Sequence, residues 1–76
     1  MKAYVFINVR TGSIPEVVRI LRTIKGVSEA NMTFGPYDAV VIIESKDINH
    51  LGQLIANEIQ PIPGVLDTIT CLVADT

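Results

Sequence analysis

The sequence contains little of what builds disulfide-linked or metal-binding proteins. It has one cysteine, Cys71, one histidine, His50, and no tryptophan. One cysteine cannot close a disulfide within the chain, and one cysteine with one histidine cannot complete a zinc site. We therefore expect no metal, and the reducing cytoplasm is the expected location because free thiols persist there.

A basic excess and long apolar stretches are also missing. Eight acidic residues outnumber six basic ones, which gives a formal net charge of −2. Proteins that bind DNA or RNA normally carry a basic patch, so direct nucleic-acid binding is disfavoured. The apolar run at residues 3–7 is far too short to span a membrane, and no glycine-rich phosphate loop occurs. The sequence therefore predicts neither a membrane anchor nor a cofactor.

What remains is a short chain rich in apolar residues. Of its 76 residues, 49% are apolar and 18% are charged. This composition is typical of a folded chain and excludes a disordered segment. The length suffices for one hydrophobic core, so we expect residues 1–76 to form a single domain.

Hydrophobic periodicity predicts four strands and two helices. The strands are expected at 3–9, 27–34, 39–44 and 65–74. The first helix should begin at a capping box formed by Ser13 and Glu16, and should stop at Gly26. The second helix should begin after the N-cap Asp47 and end before Pro61.

The predicted order of elements is βαββαβ. Two strand–helix–strand units joined by a hairpin form the ferredoxin-like arrangement, an α+β sandwich with a four-stranded antiparallel sheet. Right-handed crossovers place both helices on one face of that sheet. The other face is then left without a cover from this chain.

Both faces of the predicted sheet are apolar, but two helices can cover only one of them. We expect the uncovered face to carry Tyr4, Phe6, one of Val40 or Ile42, Leu72 and Ala74. An apolar patch of this size is rarely left exposed, so a second copy of the chain is expected to cover it, sheet against sheet. Cys71 is expected to be a small buried residue without catalytic function.

Two short motifs are candidates for ligand contact. The hairpin turn Gly35-Pro36-Tyr37-Asp38 contains an aromatic ring that turn geometry does not require, and its carboxylate could pair with an ammonium group. The ordinary requirements of a tight turn explain Gly35, Pro36 and Asp38 without any ligand, so a purely structural turn stays an equal alternative. In the last strand, Thr68 and Thr70 share one face of the sheet, a pattern that good strand composition also explains.

The combination of Gly26-Val27, Gly35-x-Tyr37-Asp38, Pro63-Gly64-Val65 and Thr68-x-Thr70 resembles a known family. It is similar to the effector-binding domain of the leucine-responsive regulatory protein/AsnC family, also called the RAM domain, over essentially the whole chain. The resemblance implies a βαββαβ fold and homodimers that assemble into tetramers, octamers or rings. It also implies an amino acid effector, bound in a cleft lined by Gly35, Tyr37, Asp38, Thr68 and Thr70.

The sequence departs from full-length members of that family at its start. Those regulators carry a helix-turn-helix domain before the effector domain, whereas here the first strand is predicted from residue 3. We therefore expect no direct DNA contact, and any effect on transcription to pass through partners such as full-length regulators of the family.

Two other functions stay open from the residues alone. Ferredoxin-like dimers include small monooxygenases and isomerases, but the candidate polar residues on the sheet and beside it are few, chiefly Tyr4, Asn8 and His50. No acid and base pair is evident, so we expect no enzyme. The third hypothesis is a scaffold that joins full-length regulators without binding a ligand.

Overall fold

A computed structural model describes residues 1–75 of the chain. Its elements follow the predicted order: β1 Lys2–Val9, α1 Ile14–Leu21, β2 Val27–Met32, β3 Ala39–Glu44, α2 Ile48–Leu54 and β4 Val65–Leu72. The strands form one antiparallel sheet in the order β2-β3-β1-β4. The predicted ferredoxin-like fold is confirmed.

The hydrophobic core lies between the two helices and one face of the sheet. On β1, every second residue is buried against the helices, and the residues between them are only half-buried. β3 alternates in the same way. The buried set from both strands and both helices forms one cluster, which includes Val5, Ile7, Val17, Leu21, Val41, Ile43, Leu54 and Ile59. The side chains of Tyr4 and Phe6 lie on the opposite face, as predicted, and both Val40 and Ile42 lie there with them rather than one of the two.

We call this opposite side the open sheet face, defined by Tyr4, Phe6, Val40, Ile42, Ile69 and Cys71. Cross-strand pairing sets its membership, because residues paired side by side share a face: Tyr4 pairs with Ile42 and Cys71, and Phe6 with Val40 and Ile69. The open sheet face is apolar across three neighbouring strands.

The prediction for β4 was wrong in its choice of face. Leu72 pairs with the fully buried Ala3, so Leu72 lies on the helix side of the sheet rather than on the open face. Cys71 is exposed on the open face, not buried. β4 is an edge strand with few buried positions. The alternation of apolar and polar residues along it therefore did not indicate which face meets the core.

The first helix also starts differently from the prediction. Ser13 is the N-cap, but its side chain makes no capping hydrogen bond. Glu16 instead accepts two hydrogen bonds from the guanidinium of Arg19, a partner that also lowers the pKa of the exposed Glu16 carboxylate. The predicted capping box is therefore absent, and α1 ends at Leu21, several residues before Gly26.

The second helix begins as predicted. The carboxylate of Asp47 accepts a hydrogen bond of 2.7 Å from the backbone N–H of His50. From Ile55 to Ile59 the helix widens into a π-helical segment, and the N–H of Gln60 donates to the carbonyl of Ile55. Ile55 and Ile59 remain buried, so the wider turn keeps the apolar stripe on the core.

Two glycines, Gly26 and Gly64, stand at equivalent points before β2 and β4. Both have a left-handed backbone, with φ of +101° and +104°. A Cβ at Gly64 would lie 2.8 Å from the Cβ of Ser13, and one at Gly26 would lie 2.8 Å from a methyl group of Leu54. Each glycine therefore allows a helix unit to pack closely as the chain enters the next strand.

We predict that Gly64→Ala lowers the free energy of unfolding by about 1–2 kcal/mol from the left-handed backbone, with a further loss from the contact with Ser13. Gly52→Ala is the matched control, because Gly52 is helical and a Cβ there meets no atom within 4 Å. It should raise stability by about 0.5–1 kcal/mol. Urea unfolding followed by circular dichroism measures both, and equal changes would contradict this account.

Candidate functional site

The candidate turn is anchored to the end of the central strand β1. The backbone N–H of Asp38 donates to the carbonyl of Ile7 at 2.9 Å, and the carboxylate Oδ2 of Asp38 accepts from the N–H of Val9 at 2.7 Å. Val9 is buried, so this carboxylate satisfies a backbone donor that has little access to water. Asp38 therefore has a structural function whether or not it binds a ligand.

The turn is also closed on itself. The N–H of Thr33 donates to the carbonyl of Asp38 at 3.0 Å, and the hydroxyl of Thr33 donates to the carbonyl of Tyr37 at 2.7 Å. Gly35, between them, has a φ of +146°, a conformation that side chains rarely adopt. The strand ends thus hold the turn in one conformation.

A cavity of about 400 Å³ opens beside this turn, which we call the turn cavity. Its lining residues are Ile14, Met32, Thr33, Phe34, Gly35 and Asp38. It is of the size of small-molecule sites, and Asp38 is the one ionisable residue in its lining among residues 1–75. Of the residues predicted from the sequence, Gly35 and Asp38 meet here.

Tyr37 lies on the other side of the turn. Its ring centroid is 5.2 Å from that of Phe6, with the ring planes tilted by 43°, a favourable aromatic pair. Because Phe6 belongs to the open sheet face, Tyr37 extends that face toward the turn. It does not line the turn cavity.

The two predicted threonines lie on the opposite edge of the sheet. Thr68 pairs with Ile7, which pairs with Ala39 on its other side, so Thr68 and Ala39 are two strands and about 10 Å apart. The hydroxyl of Thr68 accepts a hydrogen bond of 3.3 Å from Gln60. Thr70 lines a separate groove beside α2. Within one chain, the threonines and the turn do not share a cavity.

The polar residues considered for catalysis are dispersed. Asn8 donates to Asp67 at 3.1 Å, and Tyr4 lies under the ammonium group of Lys2. His50 lies 2.9 Å from the Ser45 hydroxyl, in a cavity of about 540 Å³ at the other end of the sheet. These residues do not form one enclosed site in the part of the chain described.

Sequence reasoning missed four residues of the turn cavity, namely Ile14, Met32, Thr33 and Phe34. It treated Tyr37 as the aromatic residue free for a ligand, whereas Tyr37 packs on Phe6 and Phe34 is the fully exposed ring. The sequence did carry a signal for Phe34. It stands directly before Gly35-Pro36, where the strand gives way to the turn and the side chain can no longer pack in the sheet.

The family model for the Lrp/AsnC ligand-binding domain matches residues 2–76. The chain belongs to this family. The description of the family names ligand binding. No helix among residues 1–75 has the length and apolarity needed to cross a membrane.

Solved structures of the same fold extend this match. TTHA0845 of Thermus thermophilus has a TM-score of 0.94 and 27% identity, over 99% of this chain and 94% of its own. AsnC of E. coli has a TM-score of 0.93 and 24% identity, over 99% of this chain and 51% of its own. The regulator NMB0573 of Neisseria meningitidis, solved as a complex with L-Met, has a TM-score of 0.88, 17% identity and coverage of 97% and 49%. The last two show a shared fold alone.

Curated relatives with higher identity are enzymes of much greater length. Homocitrate synthase of Sulfurisphaera tokodaii is 46% identical over 57 residues, which are 75% of this chain and 12% of the enzyme. Homocitrate synthase of Saccharolobus solfataricus is 42% identical over 66 residues, 87% of this chain and 13% of the enzyme. The chain spans about an eighth of these relatives, so their activity does not transfer to it.

We predict that Asp38→Ala lowers the free energy of unfolding by about 1–3 kcal/mol, because it leaves the partly buried N–H of Val9 without an acceptor. Asp38→Asn is the matched control, since its amide oxygen can still accept from Val9 and the loss should stay below that of alanine. Thermal and urea unfolding of both variants measure the difference. Equal stability of the alanine variant and the parent would contradict the structural function of Asp38.

Proposed function

We propose that this domain is a sensor that binds an amino acid effector and assembles into oligomers, without contacting DNA itself. The observation that carries the proposal is the turn cavity, where Gly35 and Asp38 meet beside the apolar side chains of Ile14, Met32 and Phe34. The ligand-binding family and the L-Met complex of the Neisseria meningitidis regulator support an amino acid as the ligand. The net charge of −2 supports the absence of DNA contact.

The effector's ammonium group pairs with Asp38. Oδ2 of that carboxylate is held by Val9, and among residues 1–75 Oδ1 has no hydrogen-bond partner, so one oxygen faces a ligand while the other fixes the side chain. Backbone amides near Gly35 and threonine hydroxyls take the effector carboxylate. A carboxylate oriented by a backbone N–H loses little freedom on binding, which favours affinity.

The predicted site is completed between subunits. Thr68 and Thr70 of one chain lie too far from its own turn to share a cavity with it. A second subunit supplies its threonines to the turn of the first. Binding across two subunits stabilises the assembled state relative to free chains, because the ligand has full affinity only for that state.

A second copy of the chain covers the open sheet face. This face carries two aromatic rings and four aliphatic or thiol side chains over three adjacent strands. Both helices pack against the other face of the sheet. A face that pairs with its own copy about a two-fold axis closes the assembly as a dimer. Dimers then join through other surfaces into tetramers, octamers or rings.

A second candidate function is suggested by the homocitrate synthases. Their segments share 46% and 42% identity with this chain, against 27% for the Thermus thermophilus structure. Under this candidate, the domain senses a ligand on behalf of a synthase of that class rather than a transcription regulator. Affinity purification from the native cell distinguishes the two, since it recovers either such a synthase or a DNA-binding relative.

We predict that the protein forms an even-numbered oligomer that gains discrete amino acid masses. Native mass spectrometry with and without an equimolar amino acid mixture measures subunit count and bound mass together. Asp38→Asn should keep the oligomer and lose the bound mass, because the ammonium partner is neutralised. An oligomer that binds nothing would favour a scaffold, and unchanged binding by Asp38→Asn would contradict the site.

We predict that Ile69→Lys shifts the dimer toward monomers, because it places an ammonium group in the covered sheet face. Ile48→Lys is the matched control: Ile69 and Ile48 are 46% and 52% exposed, but Ile48 lies on α2, away from the open sheet face. Analytical ultracentrifugation across a concentration series measures both variants. Dissociation by the Ile48 variant alone would contradict the proposed interface.

A further inference from the structure

We propose a second ligand site at the end of the sheet opposite the turn, for an anion that also carries several hydroxyl groups, such as a sugar acid or a sugar phosphate. The site is the cavity of about 540 Å³ beside His50, which we call the His50 cavity. Its polar lining consists of Lys25, Glu44, Ser45, Lys46, His50 and Glu58. The inference is independent of the proposed function, because none of these residues lines the turn cavity.

The walls of the His50 cavity are fixed to one another. The N–H of Glu44, at the end of β3, donates to the carbonyl of Gly26 at 3.0 Å. Gly26 has a left-handed backbone, and a Cβ there would lie 2.8 Å from a methyl group of Leu54. The loop that carries Lys25 therefore packs closely on both β3 and α2. A cavity held in this way is largely formed before a ligand arrives, as small-molecule sites usually are.

Hydrogen bonding fixes the tautomer of neutral His50. The hydroxyl of Ser45 donates to the carbonyl of Asp47 at 2.9 Å, and the same oxygen lies 2.9 Å from Nδ1 of His50. A hydroxyl has one hydrogen, so Ser45 accepts from Nδ1–H in the second contact. Nε2 is then the acceptor nitrogen of the ring, and it has no hydrogen-bond partner among residues 1–75. A hydroxyl group of a ligand is a donor that suits it.

The charged groups around the cavity are not paired with each other. Lys25 and Lys46 supply two ammonium groups, and Glu44 and Glu58 supply two carboxylates. The one ion pair within 4 Å among residues 1–75 lies on α1 and involves none of them. The two ammonium groups are partners for an anion, while the two carboxylates and Nε2 accept hydrogen bonds from hydroxyl groups.

These partners select for a ligand that has both kinds of group. A hydrocarbon anion leaves the acceptors without donors, and a dicarboxylate brings its second charge toward Glu44 or Glu58. An amino acid has one ammonium group, whereas the acceptors come from three segments: the end of β3, α2 and the π-helical segment at Ile55–Ile59. Several hydroxyl groups on one ligand can reach all three.

The π-helical segment gives separate support for a site here. It directly follows Leu54 and carries Glu58, and both residues line the cavity. π-helical turns are rare in proteins and occur often at functional sites. The one π-helical turn among residues 1–75 thus forms part of the wall of the proposed site.

Titration calorimetry with single compounds tests the site on the purified protein. The Asp38→Asn variant is titrated beside the parent chain, because it is expected to bind no amino acid at the turn. D-gluconate and glucose 6-phosphate separate a carboxylate ligand from a phosphate ligand, and at least one of them should bind both proteins equally. D-glucose lacks the anion, hexanoate lacks the hydroxyl groups, and L-alanine has an ammonium group in their place. Each of these three should bind Asp38→Asn at least about ten-fold more weakly.

Variants of the lining test the residues involved. Lys46→Gln should weaken binding of the anionic probe by about ten-fold, because it removes a charged partner. Arg10→Gln is the matched control, since it removes the same charge from an exposed residue that does not line the cavity. Lys46 is exposed as well, so folding should be unaffected by either change.

Two variants of His50 test the function of Nε2. A glutamine side chain can reach the position of Nε2, whereas an asparagine side chain reaches only that of Nδ1. His50→Gln should therefore keep more affinity for the anionic probe than His50→Asn does. Equal losses in the two variants would contradict the assignment of Nε2 as the acceptor.

Other results would overturn the site itself. Absence of binding by both anionic probes, or equally tight binding of D-glucose, hexanoate or L-alanine to Asp38→Asn, contradicts the ligand class. Binding that Asp38→Asn abolishes and Lys46→Gln leaves intact places the ligand at the turn. Equal weakening by Lys46→Gln and Arg10→Gln shows attraction by overall charge alone. None of these results decides the proposed function, which depends on amino acid binding by the parent chain.

Discussion

The structure depends on one constraint: a four-stranded sheet with apolar side chains on both faces, and two helices that can cover only one of them. The buried residues of β1 and β3 face the helices, and the residues between them form the open sheet face. Burial of the first set holds the chain together, and burial of the second requires another molecule. Stability and the proposed assembly thus depend on the same strands, on opposite faces.

The central strand β1 connects this constraint to the candidate site. It pairs with β3 and β4, contributes Phe6 to the open sheet face, and ends at the two backbone groups that hold Asp38. Tyr37, one residue before Asp38, packs on Phe6. A ligand at the turn would therefore lie one residue away from the open sheet face, which a second subunit is proposed to cover. The proposed ligand site and the proposed subunit interface are thus adjacent.

Much of the fold was predictable because local patterns carried it. The alternation of β1 and β3 and the N-cap Asp47 each depend on neighbours within a few residues, and each was confirmed. The capping box failed because Glu16 had a competing partner in Arg19 one turn away. The face of β4 failed because an edge strand with few buried positions shows no dominant alternation.

The sequence by itself determined the order of elements, the two-sided apolar sheet and the presence of a tight turn with a carboxylate, since these follow from local spacing and composition. Tertiary structure decided which residues meet. Cross-strand register placed Cys71 on the open face and separated Thr68 from the turn, and packing on Phe6 placed Tyr37 outside the turn cavity. Register and packing depend on residues distant in the chain, so no local pattern carries them.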